Sequence, residues 1–339
     1  MNKEKLIIVS NEKASKNPDG SYFCINADLQ ILPDGLSKFY DILCIFRKSK
    51  NDGNHKLINS KVLIASNLFT FIKNLIATFK FKNCRYLIVT ITPYSFVAFI
   101  FLLLFKKKIF IYLMSSGHDE WRYILGSWSV WIYDLMYRIA TNSSKVIVCH
   151  KRLYDEKKSF LVNPSRLSEN WFANYSVPSL DRARFLYVGR FNPEKGIKNF
   201  IGLFKELKIN CELSIAGEKK DILNQKNINQ LGYLEEEKTL IKIYDEHNIM
   251  ILPSFTEAHP YVIDESLARV RPVIIFADIS YVKGDRIGVY VINRDTKSLE
   301  EITKFILNNY SKIQEDIKKN ILPSKNSMIN QFRKIISLN

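Results

Sequence analysis

The sequence has no C-x-x-C pair and no cluster of cysteine with histidine. Its five cysteines (Cys24, Cys44, Cys84, Cys149, Cys211) are widely spaced, odd in number and set mostly in apolar runs. That pattern excludes a disulfide framework and a structural zinc, and leaves buried thiols. A membrane-spanning helix is missing too. The one segment that could pass for it, Tyr94 to Met114, is cut by Lys106, Lys107 and Lys108, and neither piece reaches the ~20 apolar residues a span requires. A buried helix followed by a buried strand accounts for it, with contact at a membrane surface left open. Near the N-terminus, Lys3 and Lys5 precede only Leu6 to Val9, with no small-residue cleavage site, so this stretch reads as a first strand rather than a signal peptide. There is no fixed-period repeat and no long low-complexity tract. G-x-S-x-G, H-E-x-x-H and the Walker G-x-x-x-x-G-K-[ST] are all absent, which removes three common catalytic chemistries. No D-x-D pair offers itself to a metal-bound sugar nucleotide; Asn26-Ala27-Asp28 is the nearest and a poor match, so no metal is expected.

Acidic residues are scarce relative to basic ones, 34 against 50, for a formal charge of +16. Such a surplus implies a negatively charged partner: nucleic acid, an anionic membrane or a phosphorylated substrate. A solvated basic surface with no partner is the plainer alternative, and charge alone does not separate them. Hydrophobic residues make up 47% of 339, enough for two ordinary domains with a core each.

Short β-rich apolar runs alternate with longer amphipathic ones, the pattern of parallel sheets with crossover helices. The first half reads as strands at Leu6–Ser10, Ile42–Phe46, Tyr86–Ile91, Ile109–Met114 and Val146–Cys149, with helices at Ser66–Phe79, Pro93–Phe105 and Ser127–Thr141. Thr92 before Pro93 reads as an N-cap with proline at the first helical position. The rhythm breaks between Asn163 and Asp181, where a linker is placed. It restarts as strands at Phe185–Val188, Glu212–Ala216, Ile249–Leu252, Pro272–Phe276 and Val289–Ile292, with helices at Ile197–Leu207, Glu235–Glu246, Tyr261–Val270 and Leu299–Lys319. A last short helix covers Lys325 to Leu338. The expected architecture is α/β, with two doubly wound sheets. Residues 1–165 and 180–322 form the two domains, and a terminal helix over 324–339 packs back on the first. Such sheets bind ligands at the carboxyl ends of their strands.

Three stretches carry chemistry. Pro253-Ser254-Phe255-Thr256-Glu257-Ala258-His259-Pro260-Tyr261-Val262-Ile263-Asp264-Glu265-Ser266-Leu267-Ala268 runs from a strand end through a loop into a helix. It offers two carboxylates that can accept hydrogen bonds from the vicinal hydroxyls of a ribose or hexose. Helix-start amides lie beside them, where a phosphate could sit. Surface acids flanking an ordinary helix are the plainer alternative. Leu186-Tyr187-Val188-Gly189-Arg190-Phe191-Asn192-Pro193-Glu194-Lys195-Gly196 is the second: Gly189 permits a tight turn, and Arg190 and Lys195 can converge on a diphosphate, one as a fork and one as a point charge. The third, Ser115-Ser116-Gly117-His118-Asp119-Glu120, follows a buried strand, where functional loops gather.

The first stretch resembles the E-x-seven-E motif of retaining glycosyltransferases, notably glycosyltransferase family four, which typically reads Pro-Ser, two residues, Glu-Gly-Phe-Gly, then a helix with Glu-Ala and a Gly-x-Pro-Val strand. Here the matching residues are Pro253-Ser254, Glu257, Glu265-Ser266-Leu267-Ala268 and Arg271-Pro272-Val273-Ile274. The second stretch resembles the family's Arg and Lys that face the donor diphosphate, about sixty residues upstream. The likeness covers about Arg184 to Lys319, and reaches the first half only through His118 and the order of elements. It implies the GT-B fold, with two Rossmann-like domains facing across a cleft, the first binding the acceptor and the second a nucleotide-diphosphate sugar. By the same resemblance Glu265 holds the ribose and Glu257 lies by the transferred sugar, while the amides after it, including that of Ala258, bind sugar and diphosphate. His118 touches the donor sugar. Gly189, Arg190 and Lys195 hold the diphosphate, and Leu231-Gly232-Tyr233-Leu234 lies by the base. Ala258-His259-Pro260 stands where the family has Gly-Phe-Gly. Pro260 has no amide to donate, and His259 either adds a donor contact or caps the turn. Asp119 and Glu120 either position an acceptor or orient His118. The family's Gly-rich N-terminal loop is not evident between Ser10 and Asp34, where Asp19-Gly20 is the nearest trace.

The implied activity is retaining, metal-independent hexosyl transfer with no cofactor beyond the sugar nucleotide. The acceptor would be a saccharide, polyprenyl-diphosphate-linked, in assembly of a bacterial-type surface polysaccharide such as capsule or lipopolysaccharide O-antigen. The protein would then be cytoplasmic, peripheral at the inner face of an anionic membrane, with no nucleic-acid partner. Two alternatives stand beside it: a GT-B-fold sugar-nucleotide 2-epimerase, which needs its own catalytic acids, and a non-enzymatic adaptor for polyanions or membranes, whose binding would not depend on Glu257.

Overall fold

The computed structural model describes residues 3–49, 53, 55–154, 158–218, 227–234, 236–257 and 259–338. The chain forms two compact units. One comprises Met1–Arg166 with Lys325–Asn339, the other Leu167–Ser324.

The first unit holds strands β1 (Lys5–Lys16), β2 (Tyr22–Cys24), β3 (Asp41–Lys48), β4 (His55–Leu57), β5 (Lys61–Ala65), β6 (Cys84–Val89), β7 (Lys108–Leu113), β8 (Lys145–Val148) and β9 (Ser159–Leu161). Seven of them form one parallel sheet in the order β5-β3-β1-β6-β7-β8-β9. β1 is longer than its neighbours: beyond a register shift between Val9 and Lys13 it stays parallel to β3, while its far end also pairs antiparallel with β2, and β2 with β4. This ribbon has no counterpart in the sequence reading, because its strands are three residues long and too short to show a period. The centres of β1, β6 and β7 read as unbroken apolar runs because both faces are covered. Helices Leu68–Ala77 and Pro93–Leu104 lie on one face, each opened by a capping box, at Asn67 and Thr92.

The second unit is the simpler. Strands β10 (Ala183–Val188), β11 (Cys211–Ala216), β12 (Ile228–Gly232), β13 (Ile249–Leu252), β14 (Val273–Phe276) and β15 (Val289–Ile292) form an all-parallel sheet in the order β12-β11-β10-β13-β14-β15. The order reverses between β10 and β13. That switch opens a crevice at their carboxyl ends, and both the Gly189–Gly196 and the Pro253–Glu265 stretches leave the sheet there.

Four expectations are corrected. The helix expected over Leu299–Lys319 is two, Thr296–Asn308 and Tyr310–Ile317. Asn309 breaks it, its side-chain amide donating to Phe305 O and so competing with the helical ladder. The strand expected to reach Ile91 stops at Val89, because Thr90 takes φ +62°. The helix expected from Ser127 begins as a 3-10 turn, Ser127–Ser129, and becomes α-helical at Val130. His118, Asp119 and Glu120, read as a loop, occupy the first turn of a helix, Gly117–Leu125, that the Ser116 side chain caps through Asp119 N–H. All five cysteines are free, four of them buried.

Candidate functional site

In the second unit, the turns after β10 and β13 are fastened to each other. Phe255 N–H donates to Glu194 O at 2.9 Å. Gly196 has φ +64°, and a Cβ there would lie 2.0 Å from Pro253 O, so only glycine lets the two turns approach this closely. Across this seam, Lys195 Nζ donates to Glu257 Oε1 at 2.6 Å. Ser254 Oγ donates to the same oxygen at 2.7 Å, which leaves Oε2 without a hydrogen bond among the described residues. Tyr281 pins the Glu257 backbone from both sides: its hydroxyl donates to Glu257 O (2.6 Å) and accepts from Glu257 N–H (3.1 Å). Arg294 holds the strand end, donating to Pro253 O (3.1 Å) while its guanidinium lies 4.3 Å from the Phe255 and Phe276 ring centres and pairs with Asp278. Tyr281 and Arg294 carried no signal the sequence reading used, since their roles come from contacts across loops; Ser254 was read as part of the motif, but not as a donor to Glu257.

The turn after β10 is equally fixed. Buried Tyr187 donates its hydroxyl to Arg190 O at 2.7 Å, and burial and the nearby Glu257 carboxylate push that phenol's pKa up, so it stays a donor. Gly189 N–H donates to Ala216 O, and a Cβ on Gly217 would lie 2.1 Å from Gly189 O. The side chain of Arg190 is exposed. The result is a lysine held on a carboxylate with an arginine on the preceding turn, at the point where a doubly wound sheet accepts an anion.

Beyond Glu257 the chain enters helix Tyr261–Ala268, whose N-cap is Pro260 with no side-chain cap. Its first amides are therefore not satisfied by a capping side chain. Ala258 lies outside the described residues. His259 Nε2 stands 3.3 Å from Asp264 Oδ2, and Arg286 grips that carboxylate through Nε (2.7 Å) and Nη2 (3.2 Å). Burial works to raise Asp264, but the contacts with His259 and Arg286 outweigh it and hold the carboxyl below its usual range. His259 is thus turned toward Asp264 of the helix it leads into. Glu265 is buried and accepts from the Tyr244 hydroxyl at 2.9 Å through Oε2; Tyr244 is itself fully buried, edge-on to Trp171. Glu257 and Glu265 therefore differ in kind: one is tied to a lysine at a loop, the other set in the core side of a helix.

In the first unit, His118 lies edge-on to Tyr133 and Tyr137 at 4.7 and 5.0 Å, with Nε2 3.5 Å from Asp134 Oδ1. Asp119 approaches Arg122 at 3.9 Å. The same unit has a cavity of about 340 Å³ at the carboxyl ends of β1, β6 and β7, bordered by Glu12, Asn26, Thr90, Thr92 and Met114. It too marks a switch point, since β1 and β6 are where that sheet's order reverses. Glu12 accepts from Ile25 N–H (3.3 Å) and Asn26 N–H (3.2 Å), and burial raises its carboxyl despite those bonds. Thr90, a β-branched residue at positive φ, is a strained neighbour of the kind that gathers at binding sites. None of this cavity was read from sequence, because β1 and β6 become neighbours only in the sheet.

Residues 173–322 match the family model described as glycosyl transferases group 1. A search of curated proteins found no match. Among solved structures, the chain is similar to a sucrose-phosphate synthase from Thermosynechococcus elongatus (14% identity, TM-score 0.72, 98% of each chain covered). It is also similar to HepE of Anabaena, solved with UDP-glucose (13%, TM-score 0.71, 98% of this chain and 99% of that one). A third likeness is to WaaG, a glycosyltransferase involved in lipopolysaccharide biosynthesis (13%, TM-score 0.66, 98% and 99%). At such identities the likeness speaks for the fold, and the fold is GT-B over the whole length. The likeness to the glycosyl transferases of group 1 thus lies over residues 173–322, within the second unit, and that of the fold over both units.

Proposed function

We propose that this chain is a retaining, metal-independent hexosyltransferase that takes a nucleotide-diphosphate sugar as donor and a saccharide as acceptor. The observation that carries the reading is the 2.6 Å contact of Lys195 with Glu257 at the carboxyl ends of β10 and β13. In that reading Lys195 and Arg190 face the diphosphate, and their charge offsets what builds on the leaving group as the sugar's C1–O bond breaks. The acceptor oxygen bonds to C1 on the face the diphosphate leaves, and its proton passes to the departing phosphate oxygen. Glu257 Oε2 takes a hydroxyl of the transferred sugar, Glu265 takes the ribose, and Gly189 and the amides from Ala258 to His259 lie along the diphosphate. His118 touches the transferred sugar. Asp119 and Glu120 position the acceptor, for which the Glu12 cavity supplies further polar groups.

A UDP-sugar is the first donor to test, since HepE was solved with UDP and with UDP-glucose. The finer reading places the acceptor on a polyprenyl diphosphate, in assembly of a surface polysaccharide, with the protein at the inner face of the membrane. The likeness to WaaG supports it. Isothermal titration against a panel of sugar nucleotides identifies the donor, and proton NMR of the first-formed product reads its anomer. A product with inverted configuration, or activity lost to EDTA and restored by manganese, would overturn the proposal.

A further inference from the structure

Among the described residues no helix is long and apolar enough to cross a membrane. One helix is nonetheless apolar on two opposite faces. Val130–Asn142 buries Tyr133, Met136 and Ala140 against the first unit's sheet. On its other side, Trp131 and Leu135 are 65% and 53% exposed, and Trp128, on the 3-10 turn leading in, is 64% exposed. The spacing of three and then four residues puts them on one stripe. The helix before it, Gly117–Leu125, packs alongside and ends in Tyr123 and Ile124, exposed at 61% and 77%. An amphipathic helix on a core ordinarily turns a polar face outward, and this one turns out tryptophan and leucine. Two exposed tryptophans, a tyrosine and an isoleucine thus stand on the ends of two helices packed side by side, an exposed apolar surface of the kind that marks an interaction site.

The charge of the same unit says which partner. Of the chain's 50 Lys and Arg, 28 fall in the first unit against 12 Asp and Glu, an excess of 16. The second unit has 22 of each, so the whole surplus of +16 lies on the unit with the patch. Beside the patch the acids are engaged: Asp134 pairs with Arg138 at 2.8 Å and Asp119 lies 3.9 Å from Arg122. Lys151 and Arg152 stand exposed on the short turn Lys151–Leu153. The Tyr137 hydroxyl fastens that turn to the helix by donating to Leu153 O. A second copy of the chain would meet this face with like charge, which disfavours self-pairing. An anionic bilayer meets both demands: it draws in the basic unit, and its interface is where tryptophan and tyrosine settle.

We propose that the Trp128/Trp131/Ile124 face is a membrane-docking surface that inserts its aromatic and aliphatic side chains at the headgroup level of an anionic bilayer. The inference concerns binding alone and stands whether or not the transferase reading does. It also differs from the obvious candidate in the sequence, Tyr94–Phe105, whose helix keeps Ala98, Phe99 and Leu102 in the core.

The test uses the full chain with vesicles of phosphatidylcholine alone and of phosphatidylcholine with about a third phosphatidylglycerol. The wild type is expected to float with the anionic vesicles. Its tryptophan emission should shift to the blue and be quenched by lipids brominated near the headgroup, since Trp121 and Trp171 are the more buried pair. Trp128→Ser with Trp131→Ser should lower vesicle affinity at least about tenfold, and Trp128→Phe with Trp131→Phe should retain most of it. Donor binding by calorimetry should be unchanged in both variants. Equal flotation of the serine variant, or no quenching in the wild type, would overturn the proposal. So would a wild-type dimer, insensitive to vesicles, that the serine variant splits: a second copy would then be the occupant.

Discussion

The two units hold their charges in opposite ways. The second, with equal numbers of acids and bases, pairs its ions internally. Arg269 is 1% exposed, bonds Asp245 through Nε and Nη2, and donates to Trp171 O, Ala173 O and Asn174 O. Arg271 beside it donates to Tyr244 O and Ser176 O, Arg286 grips Asp264, and Arg184 holds Glu212 at 3.0 Å. The first unit carries the whole surplus, with many of its lysines at the surface. Matched charges fix the geometry of one unit, while the unmatched ones give the other a field.

That contrast breaks most visibly at Arg269. Arg269→Ala strands the Asp245 carboxylate on one remaining cation and leaves three carbonyls of the segment Trp171–Asn174 without their donor. A loss of about 3–5 kcal/mol is expected, read by urea unfolding followed through Trp171. By contrast, Lys106→Ala with Lys108→Ala in the first unit should move stability by less than about 0.5 kcal/mol. Comparable effects in the two units would mean that the charges of the second are no more structural than those of the first.

Next in size is the site itself. Lys195→Ala and Arg190→Ala should each lower turnover by ~10²–10³. Their effects should part in structure, since Lys195 holds Glu257 and Arg190 is exposed. Loss of Lys195 should therefore loosen the loop after β13, seen as faster hydrogen exchange of residues 253–257, whereas loss of Arg190 should not. Wild-type turnover in the double variant would remove both from the mechanism.

Smaller again is the difference between the two glutamates. Glu257→Gln keeps an oxygen for Ser254 but loses the ion pair with Lys195, and should impair turnover more than donor binding. Glu265→Gln removes charge from a buried carboxylate already held by Tyr244, and should weaken donor binding as well. Titration against steady-state rates separates the two; equal losses in both quantities for both variants would argue that the carboxylates share one role.

These motifs could be read from sequence because each is short in chain: strand end, turn and helix start within about sixteen residues fix what leaves the sheet and in which direction. The six strands of the second unit alternate with helices regularly, so its β10–β15 order is what right-handed crossovers would give. Other features depended on contacts between distant segments. The β1–β2–β4 ribbon has no period to detect, Asn309 looks like any polar helix residue, and Tyr281 and Arg294 matter only because loops bring them to Glu257 and Pro253. The docking face escaped for the opposite reason. Trp128, Trp131 and Leu135 have the spacing of a core stripe, and only the fold shows that the core takes Tyr133 and Met136 instead.

The smallest expected effect tests the contrast by pH. Glu12 of the first unit is raised above its ordinary 4.5, burial outweighing its bonds from Asn26 and Ile25. As pH falls through that raised value the folded state takes up the proton before the unfolded one, so stability rises, and the gain stops once the unfolded chain also protonates near 4.5. Asp34 in the same unit is raised as well, again by burial first. In the second unit the signs reverse. Burial lowers His247 below 6.5, so the unfolded state protonates first and stability falls as pH drops below 6.5. Asp264, held low, adds its own loss only as pH falls below 3.8. Between pH 6.5 and 4.5 these groups should therefore drive the first unit to gain stability and the second to lose it. Hydrogen exchange of residues 5–16 and 243–252, corrected for the intrinsic pH dependence of exchange, reads the two separately. Glu12→Gln keeps an acceptor for both amides but cannot titrate, and should flatten the rise in residues 5–16 while leaving 243–252 as they were. An unchanged slope in that variant would show that the Glu12 carboxylate is better solvated than its burial at the edge of the cavity indicates.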